Sequence, residues 1–475
     1  MRRSPWSTLT VLALAQFMVV LDVTIVNVAL PDLQADLGFS VDNLQWVVSA
    51  YVLAFGGFLL LGGRAADLIG RRRLFMAGLA LFGVASLAGG LADSQGMLIA
   101  FRAVQGLGGA MLSPAALSIL TVTFAPGRDR NIALGIWGGL AGLGGTLGVV
   151  AGGFLVDGAS WRWVFFVNVP ITVLVVALTP FIVRESKAES TGTARTFDAL
   201  GAILATTGVL ALIYGVIRAE TLGWSDVEVM GSLAAAVVLL AGFVFAESRS
   251  ADPLVPLRMF RSRSLSASTV ALGLNGAAFT SMFFLAAIFL QQVRGESAIQ
   301  TGMQFLPMGL AAIVGAMSAS SVVTRIGTRP VHLAGAAMSV GGLLLLTGAG
   351  ASGSYVVELL PGFLLFGFGI MWVGVPGQIS AVSEVSHADA GTASGLVSAG
   401  YQVGGVLGLA VVNTLSTSLA ESRLTEGASP QEALVDAFHR GLLIAAVLAA
   451  VNIGMALIAR QRVPDAEELN EAVPV

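Results

Sequence analysis

Fourteen stretches of roughly 20 predominantly apolar residues occupy most of this 475-residue chain, and each is long enough, coiled as a helix, to cross the ~30 Å hydrocarbon core of a bilayer. They lie near residues 8–30, 44–63, 74–91, 97–120, 132–156 and 163–183, then 199–217 and 229–246, then 265–290, 301–323, 331–350, 356–379, 390–415 and 438–459. In hydrocarbon every backbone N–H and C=O must find its partner within the protein, so such stretches are helices. The expected fold class is an all-α polytopic membrane protein with 14 transmembrane helices. Only 11% of the residues are charged, against ~25% in a typical soluble domain.

Orientation follows from the positive charges. With the N-terminus in the cytoplasm, 19 of the 25 Lys and Arg fall on that side, five (Arg162, Arg218, Arg294, Arg423 and Arg440) fall outside, and Arg102 lies within the membrane. This is the bias that sets topology, and it predicts a multi-pass protein of the inner, cytoplasmic membrane with both termini in the cytoplasm. The first run is read as an uncleaved span, because it is too long for a secretory signal and contains Asp22. With no cysteine and three scattered histidines, neither a disulfide framework nor a metal-ligand cluster is expected. No nucleophile and base lie together at membrane depth, so an enzyme is not expected. A channel would need a polar ring repeated about an axis, which neither half shows. No cofactor and no nucleic-acid partner are expected.

Two charges break the apolar pattern, Asp22 in the first span and Arg102 in the fourth. An ionised side chain near a bilayer centre costs ~3 kcal/mol or more, so it faces a protein interior or a water-filled path. At ~1.5 Å per residue, Asp22 lies roughly 12 Å and Arg102 roughly 8 Å below the outer ends of their spans, which lets the side chains meet. Gln105 shares nearly the face of Arg102, and Asn27 lies a turn and a residue beyond Asp22, as further polar partners.

Transporter folds are commonly built from related halves. Residues 129–135, DRNIALG, match 389–395, DAGTASG, at an offset of 260, and 144–148, GGTLG, match 404–408, GGVLG. More weakly, 63–73, GRAADLIGRRR, aligns with 320–330, SSVVTRIGTRP, with Gly70 facing Gly327 and Thr324 replacing Asp67. Two parallel six-helix halves follow, at 1–196 and 251–475, separated by two inserted transmembrane helices in 197–250. In 63–73 the glycines Gly63 and Gly70 permit a tight turn. Arg71 and Arg72 suit a cytoplasmic loop, but orientation alone does not need Asp67. Asp67 is expected to accept hydrogen bonds from a helix N-terminus of the other half, as a latch on the cytoplasmic side.

This segment is similar to the loop signature of the major facilitator superfamily. Residues 21–31 (LDVTIVNVALP), 102–110 (RAVQGLGGA), 161–170 (WRWVFFVNVP) and 289–302 (FLQQVRGESAIQTG) resemble the fourteen-span drug/proton antiporter branch, the multidrug-efflux type. In its fifth span that branch usually has a Gly-Pro pair followed by two glycines. Here Gly148-Val149 precedes Gly152-Gly153, so the proline is absent. Gly144, Gly148 and Gly152 still recur every four residues along one helix face, as a packing seam and hinge.

The resemblance implies a proton-driven exporter of lipophilic drugs or antibiotics, working by alternating access as a monomer in the lipid bilayer. An exporter of one endogenous metabolite and an uptake symporter are the alternatives. By motif position, Asp22 and Arg102 are the implied proton-coupling groups. From the residues alone they are either a structural ion pair or a carboxylate that binds and releases a proton as its cation moves. Candidate substrate-cavity residues are Gln16, Asn27, Gln45 and Gln105 in the first half, and Asn275, Phe283, Gln304, Trp372, Gln378, Tyr401 and Gln402 in the second. One inward proton supplies ~2.3 kcal/mol per 100 mV and ~1.4 per pH unit. An exported monocation cancels the voltage part, so neutral or singly charged lipophilic substrates are expected over dications.

Overall fold

The computed structural model describes residues 4–125, 127–186, 198–250, 252–383, 385 and 389–459, with side chains throughout except at 41, 42, 141–143, 146, 149, 157, 220, 298 and 390. The chain ends, the expected boundary at 196/197 and the Val149 side chain thus lie outside the described residues. The helices are α1 (Pro5–Leu37), α2 (Val41–Ile69), α3 (Arg71–Gly90), α4 (Gln95–Thr123), α5 (Arg128–Gly158), α6 (Trp163–Phe166), α7 (Asn168–Ile182), α8 (Ala199–Leu222), α9 (Val227–Arg249), α10 (Arg263–Ile288), α11 (Ala298–Ile326), α12 (Thr328–Leu346), α13 (Leu360–Ser383), α14 (Ala390–Thr425) and α15 (Pro430–Ile458). A 3-10 turn at Leu257–Arg261 leads into α10, and π-helical turns at Phe289–Val293 and Tyr355–Leu359 end α10 and begin α13. No strand occurs among the described residues.

Thirteen helical stretches among the described residues are long and apolar enough to cross a membrane, α6 and α7 counting together. The 31-residue α5, uncharged through its middle, supplies the fourteenth. Phe181, Val237 and Val227 are 74%, 69% and 86% exposed, an apolar surface that only a lipid solvent accommodates. The chain is a multi-pass, all-α membrane protein.

The helices run past the apolar windows. The segment 63–73 is not a loop: α2 continues to Ile69, α3 begins at Arg71, and the turn is reduced to Gly70 at φ 116°. Gly327, its partner in the repeat, makes the same corner between α11 and α12 at φ 84°. Both φ values favour glycine. Gly63 lies inside α2, so its lack of a side chain serves close packing rather than turning.

Two compact units emerge. The first comprises Met1–Ala125, Gly148–Ser262 and Glu384–Ala399; the second comprises Pro126–Leu147, Arg263–Ser383 and Gly400–Val475. In the first, α1 residues Leu21, Ile25, Val26, Ala29 and Leu33 pack with Val47, Leu98, Trp161 and Phe165. The inserted α8 lies against α2 and α9, while α9 turns most of its surface outward. The second unit is built around aromatic residues, with Phe289 stacked on Phe438 at 4.2 Å and Phe283 on Phe305 at 4.4 Å.

Lipid tails are as apolar as leucine, so helices associate in membranes through close packing of small residues. α3 and α4 meet this way: a β-carbon on Gly108 would lie 2.7 Å from the Phe82 nitrogen and 2.9 Å from the Gly78 oxygen. Backbone cannot yield there. Gly108→Leu is expected to destabilise the first unit by about 1–3 kcal/mol, read as a lower melting temperature of the detergent-solubilised protein.

Candidate functional site

The glycines of α4 bring it against α2. A β-carbon on Gly106 would stand 3.1 Å from the Phe55 nitrogen, and one on Gly109 would stand 2.8 Å from the Phe55 ring. This approach carries the Arg102 side chain, 1% exposed, into the first unit beside Asp22, which is 0% exposed. Arg102 donates from Nη1 to Asp22 Oδ2 at 2.6 Å and to Gln105 Oε1 at 2.6 Å, and from Nε to the Val47 carbonyl at 2.9 Å. Gln105 Nε2 donates to Asp22 Oδ1 at 2.7 Å and to Ser86 Oγ at 2.8 Å, and Asn168 Nδ2 donates to Asp22 Oδ1 at 2.8 Å. The guanidinium lies 4.4 Å from the Tyr51 ring centroid. Side chains of α4 and α7 therefore bond the α1 carboxylate directly, and α2 and α3 join the network through Arg102 and Gln105. The Tyr51 hydroxyl and Asn168 Oδ1 are buried without a hydrogen-bond partner among the described residues.

Sequence reasoning placed Asp22, Arg102 and Gln105 but missed Ser86, Tyr51 and Asn168. Asn168 carries a signal, being a lone amide in the apolar run FFVNVP; Ser86 carries none. Asn27 is a correction. It is exposed and donates to the Val23 carbonyl of its own helix at 3.0 Å. Five residues at 100° each turn it about 140° away from Asp22.

The other proposed cavity residues have separate settings. In the first unit Gln16 accepts from Ser113 Oγ at 2.7 Å, and Gln45 is half-buried on α2. In the second unit Asn275 donates to the Ile370 carbonyl at 3.2 Å and Trp372 Nε1 to Ser318 Oγ at 2.9 Å. Phe283 belongs to the aromatic stack, Gln304 bonds Glu296, and Gln378, Tyr401 and Gln402 are half-buried.

A second polar centre lies at the end of α2, also within the first unit. Asp67, 1% exposed, accepts the Gly391 N–H on Oδ1 at 3.1 Å and the Thr392 N–H on Oδ2 at 3.0 Å. These are first-turn amides of α14, which have no acceptor within their helix, and the positive end of the helix dipole favours the carboxylate. Arg71 Nη2 donates to Asp67 Oδ1 at 3.0 Å. Gly63 permits the approach, since a β-carbon there would be 2.5 Å from the Gly391 oxygen. Beside this centre, Arg72 N–H donates to Glu185 at 3.1 Å and Arg258 pairs with Asp389 at 3.1 Å. In the second unit the repeat-related contact is neutral: Asn131 Nδ2 donates to Thr324 Oγ1 at 3.1 Å.

α5 runs unbroken from Arg128 to Gly158. Gly144, Gly148, Gly152 and Gly153 are buried. β-carbons on Gly148 and Gly152 would meet the Leu21 and Ile25 carbonyls at 2.9 and 3.1 Å. The glycine seam therefore rests on the turns of α1 that carry Asp22.

The Major Facilitator Superfamily pattern matches residues 12–409. The chain is 37% identical over 447 residues to the puromycin resistance protein pur8 of Streptomyces alboniger, covering 94% of this chain and 88% of that protein. It is 39% identical over 425 residues to the tetracenomycin C resistance and export protein of Streptomyces glaucescens, covering 88% and 77%. The crystal structure of the human organic anion transporter MFSD10 superposes with a TM-score of 0.65 at 17% identity, covering 94% of this chain and 99% of that one, a likeness of fold.

Removing one partner of a buried ion pair strands the other, at about 3–5 kcal/mol, whereas replacing both costs little. Arg102→Ala is expected to lower thermal stability by an amount of that order, and the double variant Asp22→Asn/Arg102→Gln to recover most of it, measured by melting in detergent.

Proposed function

Because the chain belongs to the major facilitator superfamily, we propose that it exports lipophilic drugs or antibiotics from the cytoplasm in exchange for protons, by alternating access. The observation that carries this reading is the Asp22 network. A carboxylate and a guanidinium are buried on different helices, and among the described residues the carboxylate's bonds come from side chains. When one helix shifts, loss of the Arg102 contact leaves a buried anion that a proton neutralises. The glycine seam of α5 provides a surface over which α1 slides with little steric hindrance. The Tyr51 hydroxyl and Asn168 oxygen, without a partner among the described residues, give the network spare hydrogen-bonding capacity for the protonated state.

Asp67 acts in this scheme as the latch. Its bonds to the α14 amides hold α2 and the start of α14 together on the cytoplasmic side and must break when that side opens, while Arg71 fixes the carboxylate from the start of α3. The relatives' names support antibiotics as substrates. In this reading the protein lies in the cytoplasmic membrane with both termini inside, works as a monomer, and draws its energy from the proton gradient, with no cofactor.

Inverted vesicles containing the protein, given a pH gradient and a panel of fluorescent lipophilic compounds, provide the test. Uptake is expected for the wild type and should be lost in Asp22→Asn while substrate binding persists; full pH-driven activity in that variant would sink the proposal. Asp67→Asn is expected to slow turnover severalfold with substrate affinity unchanged. A large loss of affinity would instead place Asp67 at the substrate.

A further inference from the structure

The two inserted helices carry a polar corner that belongs to neither the Asp22 network nor the Asp67 latch. Near the tip of the α8–α9 hairpin, Tyr214 Oη donates to Glu228 Oε1 at 2.5 Å, and Arg218 Nε donates to the same oxygen at 3.1 Å. The Glu228 N–H is held by Asp226 Oδ1 at 2.8 Å, which caps the start of α9. The ion pair engages one atom of each partner. Among the described residues Glu228 Oε2 and both Nη groups of Arg218 make no hydrogen bond, and the two side chains are 44% and 24% exposed. An acceptor for a cation and donors for an anion thus stand side by side at the surface.

Next to this corner lies a groove of about 570 Å³, walled by Leu53 of α2, Leu210 and Ala211 of α8, and Gly231 and Ala235 of α9, with Tyr214 and Glu228 at its polar end. Elsewhere the hairpin is closed: β-carbons on Gly208 and Gly215 would lie 2.9 Å from Leu240 and 3.0 Å from Leu233. A β-carbon on Gly231 would meet nothing within 4 Å, so this glycine leaves space rather than a contact. From Glu228 to Ala235 the groove follows α9 for roughly 10 Å. The Tyr214 ring lies 5.9 Å from that of Trp46, and Trp224 sits in the turn between α8 and α9. Tyr and Trp gather where hydrocarbon meets the headgroups, which puts the charged corner at headgroup depth and the groove in the acyl region.

We propose that this groove binds one phospholipid whose headgroup carries a primary amine, a phosphatidylethanolamine. The Nη groups of Arg218 receive its phosphate, Glu228 Oε2 receives its ammonium, and the groove receives an acyl chain. Both polar contacts are charge-assisted hydrogen bonds, and the zwitterion brings both signs to a corner that offers both. A choline headgroup has no N–H to give Glu228, and a glycerol headgroup brings an anion beside that carboxylate with no cation to offset it. The site is independent of what the protein exports.

The test titrates the full-length protein in detergent with phosphatidylethanolamine, phosphatidylcholine and phosphatidylglycerol of identical acyl chains, and reads the bound fraction by native mass spectrometry. Wild type should favour the ethanolamine lipid over each of the others by about threefold, the scale of one exposed charge pair. Glu228→Gln should abolish that preference. Gly231→Leu, which fills the groove, should lower the bound fraction of all three lipids without lowering the melting temperature. Equal binding of the three by wild type, a preference for phosphatidylglycerol, or an ethanolamine preference that survives Glu228→Gln would overturn the proposal, as would unchanged binding in Gly231→Leu.

Discussion

The Asp22 carboxylate is the point on which the first unit converges. Side chains from α4 and α7 bond it directly, and α2 and α3 join through the Val47 carbonyl and Ser86. A buried anion is tolerated only when its bonds are complete, so these helices must meet at defined heights and rotations. The glycines of α4 and α5 follow from the same requirement, since they let the neighbouring helices approach closely enough for those bonds to form. The network is therefore a packing device, and in the proposed exchange it is also where the proton acts.

The internal repeat shows what evolution kept and what it changed. Gly395 of α14 packs against the Leu59 carbonyl and Gly63 of α2, and Gly135 of α5 packs against Ala316 and Ser320 of α11. These are the positions that the sequence repeat pairs. The helix contact is thus retained in both units, while the polar bond at its end differs. Asp67 binds the α14 amides with a full charge, and Thr324 meets Asn131 as a neutral pair. A carboxylate on helix amides is roughly twice as strong as a neutral bond. The two corners of the fold are related in shape and unequal in strength.

Much of this was legible without coordinates. The fourteen spans follow from the length of apolar runs, and the importance of Asp22, Arg102 and Asp67 follows from charges that membrane topology does not explain. Gln105 was found because three residues on a helix share a face. The misplacement of Asn27 has the same geometry behind it, as five residues do not. The glycines at either end of 63–73 and its basic residues suggest a cytoplasmic loop with a tight turn. In the structure its carboxylate and Arg71 are buried against one another, so α2 continues and only Gly70 turns the chain.

By itself the sequence determined that the chain crosses a membrane as helices, because hydrocarbon leaves backbone polar groups no other partner. It also determined which charges are out of place, because the cost of burying a charge is a property of the residue and its depth. Only the tertiary structure decided how those charges are satisfied. Ser86 and Asn168 lie 64 and 146 positions from Asp22 in the chain, and no local pattern records that they share its site. Nor does the sequence show that Arg294 pairs with Glu358, 64 positions away. Partner choice depends on how far each helix is rotated and displaced, which is settled by the packing of all its neighbours together.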